Sequence, residues 1–253
     1  MKKMIKYFGR GVKTGMGLAY DFGRLFRYGA MREDLSDRDV RNFASAKTYH
    51  ALEKSLTFKE RQAGSGWGQA NSLVKYYDAA VKADNVGFHD AASITVLDAF
   101  LTAPGTSDRA ESKPIVARIA ALRDADQVPP LGRMDHGARP LADGELKSGT
   151  LDDPEAFFLT RSSIRSFLPQ KVSASLYERA VHMAMKSPTA CNRQPWAIYH
   201  TDDPVLRDVA LGFQSGNRGF GHEVPNLAIV TADHHAYMSG EERHAYMVDG
   251  AMF

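Results

Sequence analysis

Apolar residues recur at helical spacing through most of the first half of the chain. Four segments combine this spacing with helix-forming residues, and they span residues 35–56, 68–84, 89–103 and 114–126. In the first segment, Ser36 and Asp39 have the spacing of a capping box. In the last, Pro114 occupies a position typical of the first residue of a helix. The pattern predicts a mainly helical N-terminal domain over residues 1–124.

The pattern changes after residues 125–150, a stretch rich in proline, glycine and charge that we interpret as a linker. Helices and strands then alternate: a helix over 173–187, a strand over 196–200, a helix over 202–214 and a strand over 226–233. We expect the first of these helices to bury the set Leu176, Ala180, Val181 and Ala184. The last strand is apolar and β-branched, as buried strands are. Residues 151–253 are therefore predicted to form an α+β domain.

The composition is that of an ordinary globular protein and excludes only a few classes of protein. The 253 residues are 43% hydrophobic and 25% charged with a net charge of +2, as in ordinary soluble globular proteins. This balance gives no reason to expect a nucleic-acid partner. The single cysteine, Cys191, excludes an intramolecular disulfide and a cysteine-rich zinc site. No apolar run has the length of a transmembrane helix or a signal peptide, so we expect a cytoplasmic protein.

Residues 1–32 are unusual because they hold eight Lys or Arg residues and a single acid, Asp21. They also carry apolar residues at roughly helical spacing: Ile5, Phe8, Val12, Met16, Phe22, Leu25 and Phe26. One interpretation is a terminal helix packed on its own domain with a solvated basic face. The alternative is a basic amphipathic helix in peripheral contact with an anionic membrane.

Two polar motifs lie about twenty residues apart with one predicted helix between them. In "RSSIRSF", residues 161–167, Arg161 and Arg165 offer two cations that can grip a phosphate, beside the hydroxyls of Ser162 and Ser163. In "SPTACNRQPW", residues 187–196, the hydrogen-bonding side chains are Ser187, Thr189 and Asn192, and the stiffening residues are Pro188 and Pro195. A rigid, neutral, polar surface of this kind suits a flat ligand such as a flavin.

This pair of motifs resembles the nitroreductase-like family of FMN-dependent proteins. Its members carry Arg-x-Ser-x-Arg/Lys-x-Phe and, one helix later, Ser-Pro-Ser-x-x-Asn-x-Gln-Pro-Trp. The resemblance covers about residues 152–253 and implies a three-layer α/β/α domain. Because the family's domain continues beyond its dimer helix, it also implies a member incomplete at the C-terminus. Residues 49–69 are similar to a segment that precedes the nitroreductase domain in proteins of bacterial polysaccharide-biosynthesis loci.

The resemblance implies FMN bound at a homodimer interface. Arg161, Ser163 and Arg165 would contact its phosphate or ribityl groups, with Ser162 as a backbone partner. The isoalloxazine edge would face Pro188, Thr189, Ala190 and Asn192, and Asn217 falls near another flavin-contacting position.

The implied activity is an NAD(P)H oxidoreductase with ping-pong hydride transfer through flavin N5 to a small-molecule acceptor that the sequence does not identify. Neither a catalytic side chain nor a metal is expected. The alternative is a non-catalytic helical interaction or membrane-surface module that retains a degenerate flavin half-domain.

Overall fold

The chain divides into two compact units in a computed structural model that describes residues 2–29, 34–58, 60, 62, 64–130 and 152–253. The helical unit contains the described residues before 131, together with Pro188–Pro195 and Ala232–Met252. The strand unit contains the described residues from 152 to Ser187, together with Trp196–Thr231 and Phe253. Most of the predicted linker lies outside the described residues, and the predicted domain boundaries stay a prediction.

The helical unit is built from six α-helices: α1 (Lys2–Tyr28), α2 (Arg38–Leu56), α3 (Trp67–Lys82), α4 (Phe88–Thr102), α5 (Ser112–Asp124) and α9 (Ala245–Met252). The strand unit holds three short helices, α6 (Pro154–Leu159), α7 (Ala174–Ala184) and α8 (Pro204–Gly212). Its strands β1 (Trp196–Thr201) and β2 (Leu227–Ala232) pair in a two-stranded sheet. The predicted α+β class, with a helical N-terminal part, is confirmed. No described helix is both long and apolar enough to cross a bilayer.

The core of the helical unit lies among α2, α3, α4 and α5. Helix α4 is apolar on nearly all sides and is buried along most of its length. Trp67 at the start of α3 packs edge-on against Phe100 of α4, with ring centroids 5.2 Å apart. Other large buried side chains of this core include Leu52, Leu73, Tyr77, Leu97, Ile119 and Leu122. The helical periodicity of residues 35–126 therefore located the four helices that build this core.

Two of the predicted helix starts are wrong. Helix α2 is capped by Asp37, whose carboxylate accepts the backbone N–H groups of Asp39 and Val40. The hydroxyl of Ser36 instead donates to Asp34 at 2.6 Å, so the predicted capping box does not form. Pro114 is the third residue of α5 rather than the first. A carboxylate one residue further along is the better cap, since it accepts two N–H groups at once.

Apolar side chains of the strand unit are largely exposed, and none of its described residues is fully buried. Ile229 and Val230 in β2 are 42% and 41% exposed, and Leu176 on α7 is 55% exposed. The prediction that β2 and this face of α7 are buried is therefore wrong for the described chain. Two strands and three short helices offer too little surface to cover their own apolar faces. The predicted three-layer arrangement stays a prediction.

Candidate functional site

The segment Pro188–Pro195 of the helical unit has an unusual backbone. Cys191, Asn192 and Gln194 have φ angles of 53°, 51° and 49°, which lie in the left-handed region. For a residue with a side chain this conformation costs roughly 1–2 kcal/mol. Such strain persists only where the surrounding structure holds the backbone in place, and it concentrates at functional sites. We refer to residues 188–195 as the strained loop.

Arg193 fixes the strained loop from inside the helical unit. Its side chain is fully buried, and its Nε donates to the carbonyl oxygen of Ala190 at 3.0 Å. Nη1 donates to the carbonyl oxygen of Ala236. Nη1 and Nη2 also form a bidentate pair with Glu242, at 3.1 and 2.7 Å. The guanidinium thus joins the loop to two later parts of the chain.

Glu242 is held in its ionised form. Burial alone would raise the pKa of its carboxyl group. The hydrogen bonds from Arg193 and from the Met238 N–H, with the charge of Arg193, outweigh burial and lower this pKa to about 2 from an ordinary value of 4.5. Ser239 and Glu242 have the spacing of a capping box in the sequence, which predicts that a helix begins at Ser239. That prediction is wrong, because Ser239 precedes a short 3₁₀ turn and makes no side-chain cap.

The lowered pKa of Glu242 predicts an acid-dependent loss of stability. The stabilisation is complete above the unfolded pKa of 4.5 and disappears as the pH falls towards the folded pKa of about 2. The free energy of unfolding should therefore fall over this interval more steeply in the wild type than in Glu242→Gln. Urea unfolding at a series of pH values measures both slopes. Equal slopes would show that Glu242 is not held ionised by the fold.

Two further groups hold the backbone of the strained loop. The buried carboxylate of Asp249 accepts the Ala190 N–H at 3.3 Å and the hydroxyl of Tyr237 at 2.8 Å. On the other side, Nε2 of His89 lies 3.0 Å from the carbonyl oxygen of Arg193. Since a carbonyl only accepts, Nε2 carries the proton and Nδ1 accepts the Tyr49 hydroxyl at 2.8 Å. Burial lowers the pKa of His89, which favours this neutral form.

The residues predicted to face the flavin ring differ in their exposure and in the hydrogen bonds that they already make. Asn192 is exposed, and its side-chain amide has no hydrogen-bond partner among the residues that the structure describes. The hydroxyl oxygen of Thr189 accepts the Gln194 N–H at 3.1 Å and so closes the loop. The N–H of Ala190 is taken by Asp249, and Pro188 is exposed. The structure thus brings all four predicted residues together on one loop, and their flavin role stays a prediction.

The residues predicted to hold the phosphate belong to the strand unit. Arg161, Ser162, Ser163 and Arg165 are exposed on a segment outside any helix or strand. Within the described part of the chain, neither arginine forms an ion pair. Asn217 is different, since its amide nitrogen donates to the carbonyl oxygens of Leu211 and Gln214, both at 2.7 Å. It closes the end of α8, and its predicted flavin contact stays untested.

A group of possible metal ligands lies elsewhere in the helical unit. Asp39, Asp233 and His235 place ligand atoms within 4.8 Å of one another. One of these contacts is an ordinary hydrogen bond of 2.7 Å from His235 Nδ1 to Asp233. We assign no metal to this group, because acidic side chains and histidines cluster often without one.

Comparison with known proteins agrees with the two motifs. The sequence model of the nitroreductase family matches residues 159–245, a segment that includes both "RSSIRSF" and "SPTACNRQPW". This segment, about a third of the chain, is similar to the nitroreductase family, and the predicted resemblance is confirmed. The family is one of flavin-dependent oxidoreductases. Neither the curated proteins nor the solved structures give a significant match.

Proposed function

We propose that the chain binds FMN and acts as an NAD(P)H-dependent oxidoreductase. The observation that carries the proposal is the strained loop, which lies within the nitroreductase-family segment and is held in one shape by Arg193, Asp249 and His89. Strained residues cluster at functional sites, and a loop held rigid by a buried ion pair is suited to receive a ligand. The electron acceptor is a small molecule whose identity is open.

The residues present fit this cofactor. Arg161 and Arg165 offer exposed guanidinium groups suited to a phosphate, beside the hydroxyls of Ser162 and Ser163. On the strained loop, the small side chains of Pro188, Thr189 and Ala190 allow close approach to a flat ring, and the amide of Asn192 is free to hydrogen-bond its edge. Asn217 contributes less, since its amide hydrogens are engaged.

Each part of this chain has a task in the proposed activity. Bound FMN would supply the hydride and electron transfer that amino-acid side chains lack. The loop would orient the ring and present fixed dipoles to it, and its rigidity would avoid reorganisation during the reaction. No acidic or basic side chain is assigned to proton transfer.

We further propose that the active form is a homodimer. Members of the nitroreductase family are commonly homodimers with the flavin at the interface. The strand unit exposes large apolar side chains, including Phe157, Phe158 and Phe213, which is 91% exposed. Large apolar side chains exposed in this way are typical of a protein interface.

Replacing both Arg161 and Arg165 by glutamine should weaken FMN binding by about tenfold or more. Charge-assisted hydrogen bonds contribute roughly 1.5–3 kcal/mol each, so loss of even one has this effect. The purified chain is mixed with FMN and desalted, and its visible absorption is recorded before and after addition of NADPH or NADH. The wild type should keep a flavin band that either donor bleaches.

Arg179→Gln is the matched control, because Arg179 is an exposed arginine of α7 outside the motif. It should retain FMN as the wild type does. A wild-type chain that keeps no flavin after this treatment would contradict the proposal and favour the non-catalytic alternative. Equal retention by the double variant would remove Arg161 and Arg165 from the site.

A further inference from the structure

Helix α1 has one charged face and one apolar face. At 100° per residue, all its charged residues fall on one side: Lys2, Lys3, Lys6, Arg10, Lys13, Asp21, Arg24 and Arg27. The large aliphatic, methionine and phenylalanine residues take the other side, and they are Met4, Ile5, Phe8, Val12, Met16, Leu18, Phe22, Leu25 and Phe26. The apolar face covers about half of the circumference and the charged face about a third.

The apolar face is exposed along almost the whole helix. Phe8 is 75% exposed, and Met4 is 72% exposed. Leu25 is the one residue of α1 with a described side chain that is buried. A β-carbon added to Gly9, Gly11, Gly15, Gly17 or Gly23 would meet no other described heavy atom within 4 Å. Up to Met16, therefore, nothing among the described residues covers this face.

Only the end of α1 is attached to the rest of the helical unit. Leu25 is buried there, and Arg24 Nη2 lies 2.9 Å from Nε2 of His234. The guanidinium of Arg24 also stands over the ring of Tyr246, 5.9 Å from its centroid. These contacts fix the last turns, while the preceding turns present both faces to the surroundings.

We propose that α1 lies flat on an anionic membrane surface. The helix has seven basic residues and one acid, in a chain whose net charge is only +2, so positive charge is concentrated where the apolar face is exposed. A basic face beside an apolar face with phenylalanines is what binds anionic lipid headgroups and the adjacent acyl region. This goes beyond the flavin proposal and does not depend on it.

A second copy of the chain is a poorer occupant of this face. Two α1 helices paired through their apolar faces would point their basic faces away from each other, where neither face is neutralised. A helical partner also uses a narrow apolar seam, whereas the apolar face of α1 covers about half of the circumference. The five glycines of α1 lower the stability of the isolated helix. Binding along a membrane surface would therefore stabilise it.

Co-sedimentation of the full chain with vesicles tests the proposal. The wild type should pellet with phosphatidylcholine vesicles that contain phosphatidylglycerol, and about tenfold more weakly with phosphatidylcholine alone. Added salt should reduce binding to the anionic vesicles. Helicity measured by circular dichroism should rise when these vesicles are added.

A triple variant isolates the apolar face without a change of charge. Phe8→Gln, Val12→Gln and Met16→Gln together should weaken vesicle binding by at least about tenfold. The matched control puts three glutamines on or beside the charged face, as Gly9→Gln, Thr14→Gln and Gly17→Gln, and should bind at least as tightly as the wild type, because replacing two glycines strengthens the helix. Neither variant should lower the melting temperature, because all six substituted positions are exposed.

Three results would overturn the proposal. The wild type could remain in the supernatant with anionic vesicles at low salt, or the apolar-face variant could pellet as well as the wild type. Size-exclusion chromatography could also show a larger wild-type species that the apolar-face variant dissociates, without vesicle binding by either protein. That last result would assign the face to a second copy.

Discussion

Replacing Arg193 by methionine is expected to lower the free energy of unfolding by about 3 kcal/mol, because a buried ion pair loses one partner. Methionine keeps much of the length and apolar volume of the side chain. The carbonyl oxygens of Ala190 and Ala236 would lose their donor, and the carboxylate of Glu242 would lose its bidentate partner. Glu242 is partly exposed, so water offsets some of this cost. Urea unfolding followed by circular dichroism measures the change.

Arg118→Met provides the matched control for this prediction. Arg118 forms an ion pair with Asp78 at 2.8 Å, but the two side chains are 41% and 42% exposed. Exposed pairs contribute at most about 1 kcal/mol. If Arg193→Met cost no more than this control, the buried pair would not be what holds the strained loop. Adding Glu242→Leu to Arg193→Met should recover part of the lost stability, since it removes the unpaired charge.

Local patterns in the sequence were sufficient to predict most of the helices and strands. The spacing of apolar residues located α2 to α5, because each of these helices buries one face against the same core. Asp153, Ser173 and Asp203 cap α6, α7 and α8, and such short polar side chains directly before a helical segment are a helix-start signal that a sequence shows. The start of α2 could not be fixed in this way, since three potential capping side chains lie within four residues and only geometry selects Asp37.

The residues of the candidate site could be predicted from the sequence only in part. Both motifs could be recognised, since each is contiguous. The residues that hold the strained loop could not, because His89 is 104 positions from Arg193 and Glu242 is 49 positions from it. The only local signal was an arginine within a run of small residues. For β2, the apolar pattern predicts a strand that favours burial. It does not identify the surface that would cover the strand.

A second buried ion pair should have a still larger effect on stability. Arg41 and Asp90 are both fully buried and lie 3.1 Å apart. Arg41 also donates to the carbonyl oxygens of Leu35 and Asn85, each at 2.9 Å. Arg41→Met would leave the carboxylate of Asp90 buried without its counter-charge. We expect the free energy of unfolding to fall by about 3–5 kcal/mol in the same urea experiment.

Comparison of these two arginine variants distinguishes a loss of global stability from a local loss of order in the strained loop. None of the hydrogen bonds of Arg41 reaches residues 188–195, whereas Arg193 is part of the strained loop. Under conditions where both variants are folded, hydrogen exchange at the Ala190 and Gln194 amides should accelerate in Arg193→Met and stay near the wild-type rate in Arg41→Met. FMN affinity should fall in Arg193→Met and stay near the wild-type value in Arg41→Met. Equal acceleration in both variants would mean that the loop depends on global stability alone, and the structural argument for a preorganised flavin loop would then fail.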